Sequence, residues 1–380
     1  MTGQRQAAVA LAQRPAPAPA AGTRKPASSA SGFAWLRLLL ALVVVFDHSW
    51  PLTNLNDPNS LPDSWHFAPG YEALTGFFAM SGYQIANSWT SDPSWWRFLA
   101  RRVLRIWPPL LTVVLFTALV IGPLVTSVSA HEYWSAELTW GYIVHGAELY
   151  PLQHLIPGVF WHNPYPFSVN GSLWTLPMET TGYILVLVAG LAGLLRRARW
   201  ALFVPLLAFV YLDSIFLASP ATPGGGGSVI GVSVGSFVSF MVPFVLGMIM
   251  YAYRRQLPLR RWIAGVLIAV YLILHIAAPG TLADRYVFAV MFSYVCITAA
   301  HHLPKALTRY DRWARGSYGI CVWGFPIQQL LIFGGIHNHW VLALVAIPAC
   351  YLAGQLSWWF IETPTAKLRT YLRKPQGQSS

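Results

Sequence analysis

Residues 33–50 read FAWLRLLLALVVVFDHSW, an apolar run long enough to cross a bilayer that nevertheless contains Arg37 and His48. Their separation corresponds to about three helical turns, so both side chains lie on one helix face, roughly 16 Å apart along the axis. A charged side chain inside the hydrocarbon costs at least a few kcal/mol, so such residues usually serve a function. The segment therefore predicts a transmembrane helix with one functional face.

The composition extends this prediction to the whole chain. Of its 380 residues 55% are hydrophobic and only 10% are charged, which is too little charge to cover a soluble globule. We predict an all-α, multi-pass bundle of about ten transmembrane helices in the lipid bilayer of the cell membrane. The predicted spans are 33–51, 71–90, 103–125, 172–195, 200–217, 229–252, 262–278, 285–301, 317–335 and 339–361.

The basic residues indicate how the bundle is oriented. A net charge of +12 could indicate a nucleic-acid partner, but all of the 25 Lys and Arg except Arg37 and Arg285 fall in alternate gaps between the spans. The positive-inside rule makes those gaps cytoplasmic. We therefore expect both termini in the cytoplasm and no nucleic-acid partner.

The chain divides into one membrane domain with two tails. Residues 1–30 are rich in Ala, Pro, Gly and Ser and predict a disordered cytoplasmic tail. The membrane domain covers residues 31–365, and residues 366–380 form a basic cytoplasmic tail. The three cysteines lack metal-ligand spacing, so no metal site is expected.

His48 and Glu179 are candidate reactive groups in the outer half of the membrane. A lone His at a membrane boundary is more often a packing residue, and Asp47, its neighbour in sequence, points about 100° away on the helix. If its span begins at the outer surface, Glu179 lies roughly 12 Å below that surface, level with His48. The carboxyl group could form a structural ion pair, or it could orient an imidazole as the third member of a catalytic triad does. The sequence leaves both roles open.

An arginine cluster stands at the cytoplasmic entry to the third span. Arg102 and Arg105 share a helix face, so they could bind one polyanion together, whereas the cluster with Arg101 could also serve only as a positive-inside anchor. Arg105 lies inside the apolar run, where an anchoring side chain would usually extend to the surface. Pro108 and Pro109 are expected to break or kink this helix.

Two further segments carry polar or aromatic groups. Ser81 and Gly82 most simply allow close helix packing, because the strand-turn-helix context of a serine nucleophile is absent. The outer loop from about 126 to 170 is rich in Trp, Tyr and His. Its rings could stack on sugars, or they could form an interfacial belt.

Together these segments resemble acyltransferase family 3, integral membrane enzymes that transfer acyl groups to carbohydrates, peptidoglycan, lipopolysaccharide or antibiotics. The similarity runs in order from residue 33 to residue 372. Its motifs are Arg-x10-His at Arg37 and His48, Phe-Phe-x-x-Ser-Gly at 77–82, Arg-x-x-Arg at Arg102 and Arg105, Ser-Leu-Trp-x-Leu-x-x-Glu at 172–179, the segment 317–326, and Ile-Glu-x-Pro at 361–364.

The resemblance implies an acyl-CoA donor, most commonly acetyl-CoA, and a hydroxyl acceptor of carbohydrate type on the outer side. It assigns catalysis to His48, as general base or acyl carrier, with Arg37 near the donor and Glu179 orienting the acceptor or His48. The remaining assignments are donor binding by Arg101, Arg102 and Arg105, and substrate binding by Ser81, Trp174 and Asp47. Many relatives carry a His where this chain has Gly324, so the acceptor here can differ from theirs.

Two other classes of membrane protein, transporters and scaffolds, are alternatives to an enzyme. A proton-coupled transporter or flippase could use the same buried ionisable residues, but transporters more often show repeated halves with broken helices at matching places. A membrane anchor or scaffold would leave the buried charges unexplained. Consumption of acetyl-CoA in the presence of a hydroxylated acceptor separates the enzyme from both.

Overall fold

A computed structural model describes residues 29–56, 59–150, 152–218, 228–229 and 232–372. The predicted tail 1–30 therefore lies almost wholly outside the described residues. The other predicted tail, 366–380, is described as far as residue 372, and its first residues continue a helix that ends at Tyr371.

A helix occupies each of the ten predicted span positions. In chain order the labelled helices are α1 Ser29–Thr53, α2 Pro69–Ser91, α3 Trp95–Phe116, α4 Ala130–Ser135, α5 Glu137–Glu148, α6 Thr175–Leu191, α7 Phe203–Ala218, α8 Val234–Ala252, α9 Arg261–Ala277, α10 Leu282–His301, α11 Ser317–Phe333, α12 His339–Ser357 and α13 Thr363–Tyr371. Helix α4 and helix α5 lie in the loop after α3, and α13 follows α12, so the ten spans correspond to α1–α3 and α6–α12.

Short elements complete the described chain. Helix α3 continues through a π-helical turn, Thr117–Ile121, into Gly122–Val125, and α12 continues through a second π-helical turn, Trp358–Glu362, into α13. The 3₁₀ turns are Asp63–Trp65, Gly171–Trp174, Arg199–Leu202 and Asp311–Ala314, and one helical turn covers Lys305–Thr308. Two antiparallel strands of two residues each, β1 Ser228–Val229 and β2 Val232–Ser233, precede α8.

Length and composition support the all-α membrane bundle. Seven helices of the described chain are long and apolar enough to cross a membrane, namely Ser31–Thr53, Trp95–Val125, Gly171–Leu191, Arg199–Phe216, Val234–Ala252, Leu282–His301 and His339–Arg369. Helices α9 and α11 are apolar but shorter, and α2 is more polar. The orientation of the bundle stays a prediction. Below, the inner end is the one at which α1 begins, and the outer end is the opposite one.

Helix α2 lies at the centre of the bundle and packs directly against α8. A Cβ atom on Gly82 would overlap the carbonyl oxygen of Phe244, and one on Gly247 would overlap that of Ala79. The two backbones therefore touch, which only glycine allows at both positions. This confirms the packing role predicted for the Ser81-Gly82 segment.

Of the two predicted effects of Pro108 and Pro109, a break in α3 is wrong, and a kink stays a prediction. Both prolines lie inside the continuous helix Trp95–Phe116. Each removes one backbone hydrogen bond, and the fully buried neighbours Ile106 and Leu110 hold the helix on both sides of the pair. The helix changes its winding only later, at the π-helical turn Thr117–Ile121.

The glycine contact between α2 and α8 gives a stability prediction. Gly82→Ala should lower the thermal unfolding temperature of the detergent-purified protein, because overpacking against a backbone costs about 1–3 kcal/mol. Gly265→Ala in α9 is the matched control, since a Cβ there meets nothing within 4 Å. The control should keep or slightly raise the unfolding temperature, because Ala favours a helix over Gly by up to about 1 kcal/mol. Equal unfolding temperatures for the two variants would contradict the contact.

Candidate active site

Arg37 is a cation held inside the bundle. Its side chain projects from α1, and Nη2 donates a hydrogen bond to Oγ of Ser81 on α2 at 3.0 Å. Its Nε is buried without a hydrogen-bond partner among the described residues. An unsatisfied buried donor is costly, so this atom is available for a ligand.

Arg37 faces a cavity of about 80 Å³ that Ser81, Arg105 and Glu179 also line. Phe77, Phe78 and Tyr318 supply aromatic walls. Pockets for whole ligands usually measure about 300–1,000 Å³, so this cavity has room only for a small chemical group. We call it the arginine cavity.

Arg105 reaches the arginine cavity because its charge is compensated there. Its Nη1 lies 3.7 Å from Oε2 of Glu362, and its guanidinium carbon lies 5.7 Å from the ring centroid of Tyr318. The Tyr318 hydroxyl is held in turn by a 3.0 Å hydrogen bond to the carbonyl oxygen of Ile106. Arg105 is therefore not a surface anchor.

Glu362 is a buried partner to which the sequence analysis gave no role. Its exposed fraction is 3%, and it is the last residue of the π-helical turn Trp358–Glu362. Such a turn adds one residue and redirects the side chains that follow, a feature frequent at functional sites. The sequence did contain a signal for this role, because Glu362 is a carboxylate near the inner end of the last span, at the same end as the arginine cluster.

The other two predicted donor-binding arginines occupy different surroundings. Nη2 of Arg102 donates to Oγ of Ser88 at 3.3 Å, and its guanidinium lies 5.5 Å from the ring centroid of Tyr183. Arg102 is thus next to the arginine cavity without lining it. Nη1 of Arg101 instead lies 2.5 Å from Oδ2 of Asp92, between α2 and α3.

Asp92 holds two arginines at the inner end. Besides Arg101 it binds Arg97, whose Nη2 lies 2.6 Å from Oδ1. The hydrogen bond from Arg97, together with the one from Arg101, keeps the pKa of Asp92 below its usual range. Arg101 is therefore committed to this pair and does not reach the arginine cavity.

Glu179 lies in the arginine cavity, not beside His48. Its carboxylate accepts a hydrogen bond from the hydroxyl of Tyr183, one turn further along α6. The expected depth was too shallow because α6 starts well inside the bundle. Asn170, just before it, donates from Nδ2 to the carbonyl oxygen of Val322 at 2.9 Å, near the inner end of α11. Glu179 is placed to compensate the charge of Arg37.

His48 lies toward the outer end of α1, outside the lining of the arginine cavity. Its ring packs edge-on against Phe325, with 5.8 Å between centroids, and Tyr165 of the outer loop packs against the same phenyl ring at 5.9 Å. Neither ring nitrogen has a hydrogen-bond partner among the described residues. The imidazole is therefore free to take a proton or a group from a substrate.

Asp47 and Trp174, two of the predicted substrate-binding residues, face other directions. Asp47 accepts a 2.5 Å hydrogen bond from Oγ of Ser60 and lies against Gly70. Trp174 packs on Phe240 at 5.9 Å between centroids, and it does not line the arginine cavity. Of the three predicted substrate-binding residues, only Ser81 reaches the arginine cavity.

Two glutamines of α11 fix the surroundings of His48. Nε2 of Gln328 donates to the carbonyl oxygen of Val45 at 2.8 Å and to Oγ of Ser49 at 3.0 Å, on either side of His48 in α1. Gln329 binds the outer loop through the carbonyl oxygens of Tyr165 and Ser168. Two adjacent amides in an apolar span were a usable signal that the sequence analysis missed.

Gly324 faces α1 close to His48. A Cβ atom at this position would lie 3.2 Å from Cγ2 of Val45, one turn below the imidazole. A larger side chain at this position would therefore point toward the same helix.

Comparison of the sequence with known proteins identifies its family. The acyltransferase-domain family matches residues 31–361. The chain belongs to acyltransferase family 3. It is 30% identical over 372 residues to nodulation protein 10 of Rhizobium leguminosarum bv. viciae, covering 90% of this chain and 95% of that protein.

A second curated relative is the O-acetyl transferase of Shigella phage Sf6. It is 28% identical over 350 residues, which cover 86% of this chain and 93% of the relative. No solved structure matches the chain significantly. Family membership shows that the protein is a membrane acyltransferase, which decides between the enzyme and the transporter or scaffold interpretations.

The Arg105–Glu362 pair gives a prediction about stability. Glu362→Leu should lower the free energy of unfolding by about 3 kcal/mol, because it leaves a guanidinium unpaired in a largely buried place. The double variant Arg105→Met with Glu362→Leu should recover most of that loss, since no charge is left uncompensated. Thermal unfolding in detergent measures both. A double variant no more stable than the single one would contradict the pairing.

Proposed function

We propose that the protein transfers an acyl group, most simply acetyl, from cytoplasmic acyl-CoA to a hydroxyl of a carbohydrate-type acceptor on the outer side. The observation that carries this proposal is the placement of Arg37 in a cationic cavity and of His48 on the same helix face, about 16 Å further out. We call Arg37 with the arginine cavity the donor station and His48 the acceptor station. The acyl group passes from the first to the second.

The donor station suits the thioester end of a CoA. CoA carries several phosphates, and Arg102 and Arg105 lie near the inner end of α3, where these phosphates would arrive. The unpartnered Nε of Arg37 can donate to the thioester carbonyl oxygen. The small volume of the arginine cavity favours a short acyl group such as acetyl over a long chain.

The acceptor station supplies the proton chemistry. In the direct route His48 takes the proton of the acceptor hydroxyl, the oxygen attacks the thioester carbonyl carbon, and the C–S bond breaks to release CoA, whose thiolate then takes a proton. In the two-step route a His48 nitrogen bonds to the acyl carbon while the C–S bond breaks and CoA leaves as the thiolate. The acceptor oxygen then bonds to the acyl carbon, the N–C bond breaks, and the hydroxyl proton passes to the released imidazole. Both routes move the acyl end outward from the arginine cavity to His48.

The identity of the acceptor rests on similarity and position. The phage relative is named an O-acetyl transferase, which supports acetyl as the group and oxygen as the acceptor atom. His48 lies beside the outer loop, whose Trp134, Trp140 and Trp161 are exposed. Exposed rings of this kind can stack on sugars, so a carbohydrate suits this side of the protein.

Removing the imidazole tests the catalytic assignment. His48→Ala should lower acyl transfer to an acceptor at least about 100-fold, the usual contribution of a general base, with an unchanged unfolding temperature. His131→Ala, at an exposed position of the outer loop, is the matched control and should keep full activity. Intact-protein mass spectrometry after mixing with acetyl-CoA separates the routes, because only the two-step route leaves an acetyl group on His48. Full transfer by His48→Ala would refute the mechanism.

Removing a cation at the donor station tests the donor. Arg102→Gln should raise the KM for acetyl-CoA about tenfold or more, as expected for losing a charge-assisted hydrogen bond to phosphate. Arg197→Gln, an exposed basic residue at the same end of the bundle, should leave the KM unchanged. In sealed vesicles of known orientation, only acetyl-CoA supplied at the inner end should be consumed. Consumption from the outer side would contradict the proposed route.

A further inference from the structure

A second and larger cavity lies at the outer end of the bundle, away from the arginine cavity. It measures about 320 Å³ and is lined by residues of α2, α7, α8, α9 and α10. Its polar wall includes Tyr71, Glu72, Asp213, Asp284, Arg285 and Tyr286. We call it the outer cavity. None of the motifs of the family resemblance contributes a residue to this wall.

Most of the polar wall is held rigid by internal hydrogen bonds. Asp213 accepts from the Tyr286 hydroxyl at 3.1 Å and pairs with Arg285 at 3.3 Å, while Arg285 also donates to the Tyr71 hydroxyl. Asp284 accepts from the backbone N–H of Gly280 at 3.0 Å and lies 2.9 Å from Nδ1 of His275. The site is therefore preformed, which lowers the cost of binding a ligand.

Glu72 is the exception in this wall. Its carboxylate has no hydrogen-bond partner within the part of the chain that the structure describes, and the charged groups that act on it are those of Arg285 and Asp284. It lies on the lining of the outer cavity and is partly shielded from solvent. A shielded carboxylate without a partner is a ready acceptor for the donors of a ligand.

The charge and shape of the outer cavity narrow the class of that ligand. Three carboxyl groups face one guanidinium and the imidazole of His66, so phosphates and other anions are disfavoured. The rings of Tyr271 and Phe288 add an apolar wall, with 5.2 Å between their centroids. Hydrogen-bond acceptors beside aromatic rings suit a molecule with hydroxyl groups around an apolar ring face. The volume of the outer cavity is at the small end of the range for ligand pockets, so the molecule must be small.

The outer cavity is separate from the arginine cavity because aromatic rings close the space between them. Tyr71, on the wall of the outer cavity, packs on Phe240 at 4.7 Å, and Phe240 stacks on Phe78, on the wall of the arginine cavity, at 5.1 Å. Tyr71 and Phe78 lie two turns apart on one side of α2, so the two cavities lie at different levels along this helix. A ligand in one cavity cannot reach the other directly.

We infer that the outer cavity is a second binding site, for a neutral hydroxylated ligand of the size of one sugar ring, with Glu72 accepting hydrogen bonds from its hydroxyls. The site lies at the same end of the bundle as His48 and on the far side of α2 from it. The inference goes beyond the proposed transfer reaction, since binding at this site needs neither donor nor catalysis.

Saturation-transfer difference NMR on the detergent-purified full chain tests this inference. The probes are methyl glucoside and methyl rhamnoside as neutral glycosides, glucuronate as an anionic sugar and ethylammonium as a small cation. The neutral glycosides should receive saturation and glucuronate should not. Glu72→Gln replaces one acceptor oxygen by an NH2 donor and should weaken glycoside binding about tenfold, as expected for one lost hydrogen bond. Glu148→Gln, an exposed carboxylate of the outer loop, is the matched control and should bind like the unchanged protein.

The outcomes separate this inference from the proposed function. Absence of glycoside binding, binding unchanged by Glu72→Gln, or preference for ethylammonium would each overturn it. If Glu72→Gln does not fold, Ala289→Leu fills the outer cavity without touching its ion pairs and should abolish glycoside binding. Acetyl-CoA consumption in the same preparation reports on the transfer reaction alone, so its absence beside intact glycoside binding would refute the proposed function and leave this site standing.

Discussion

Burial of the Arg37 guanidinium is the constraint on which the rest of the site depends. A cation in a low-dielectric interior must be given hydrogen-bond acceptors and opposite charge, or the protein loses several kcal/mol. Ser81 of α2 supplies the hydrogen bond and Glu179 of α6 supplies the charge. Arg105 brings a second cation into the same space, and Glu362 compensates it from the far end of the chain. Five distant segments of sequence therefore converge on one small volume.

The two cavities use charge in opposite ways. The arginine cavity concentrates guanidinium groups with fewer carboxylates around them, whereas the outer cavity has more carboxylates than guanidinium groups. Such complementary surroundings select ligands of different charge at the two ends of one protein. The aromatic contacts of Phe240 keep the two environments apart.

The sequence predicted the helices well because lipid imposes long apolar runs, which are a local property of the chain. It also singled out Arg37, Ser81, Arg105 and Glu179, which the structure brings to one cavity, because polar groups in such runs are conspicuous. It could not give Glu362 a role, since its partner Arg105 is distant in sequence and no local pattern pairs them. The predicted depth of Glu179 was wrong for a related reason. The chain enters the bundle before α6 begins, and a hydropathy pattern does not show where inside the bundle a helix starts. Similarly, whether Pro108 and Pro109 interrupt α3 depends on the side chains packed around them, which a sequence pattern does not reveal.

The central position of α2 has a consequence for its amino-acid composition. Asn87 and Ser91, near the inner end, are its only exposed residues, because the helix is enclosed by α1, α8 and α10 and borders both cavities. A helix that does not touch lipid has no need to be hydrophobic, and α2 is indeed absent from the seven most apolar candidates although it has 23 residues. In contrast, α7 is among those seven with little of its surface buried in the protein. Enclosure by other helices thus permits polar residues without requiring them, because α8 is also largely buried and is nevertheless strongly apolar.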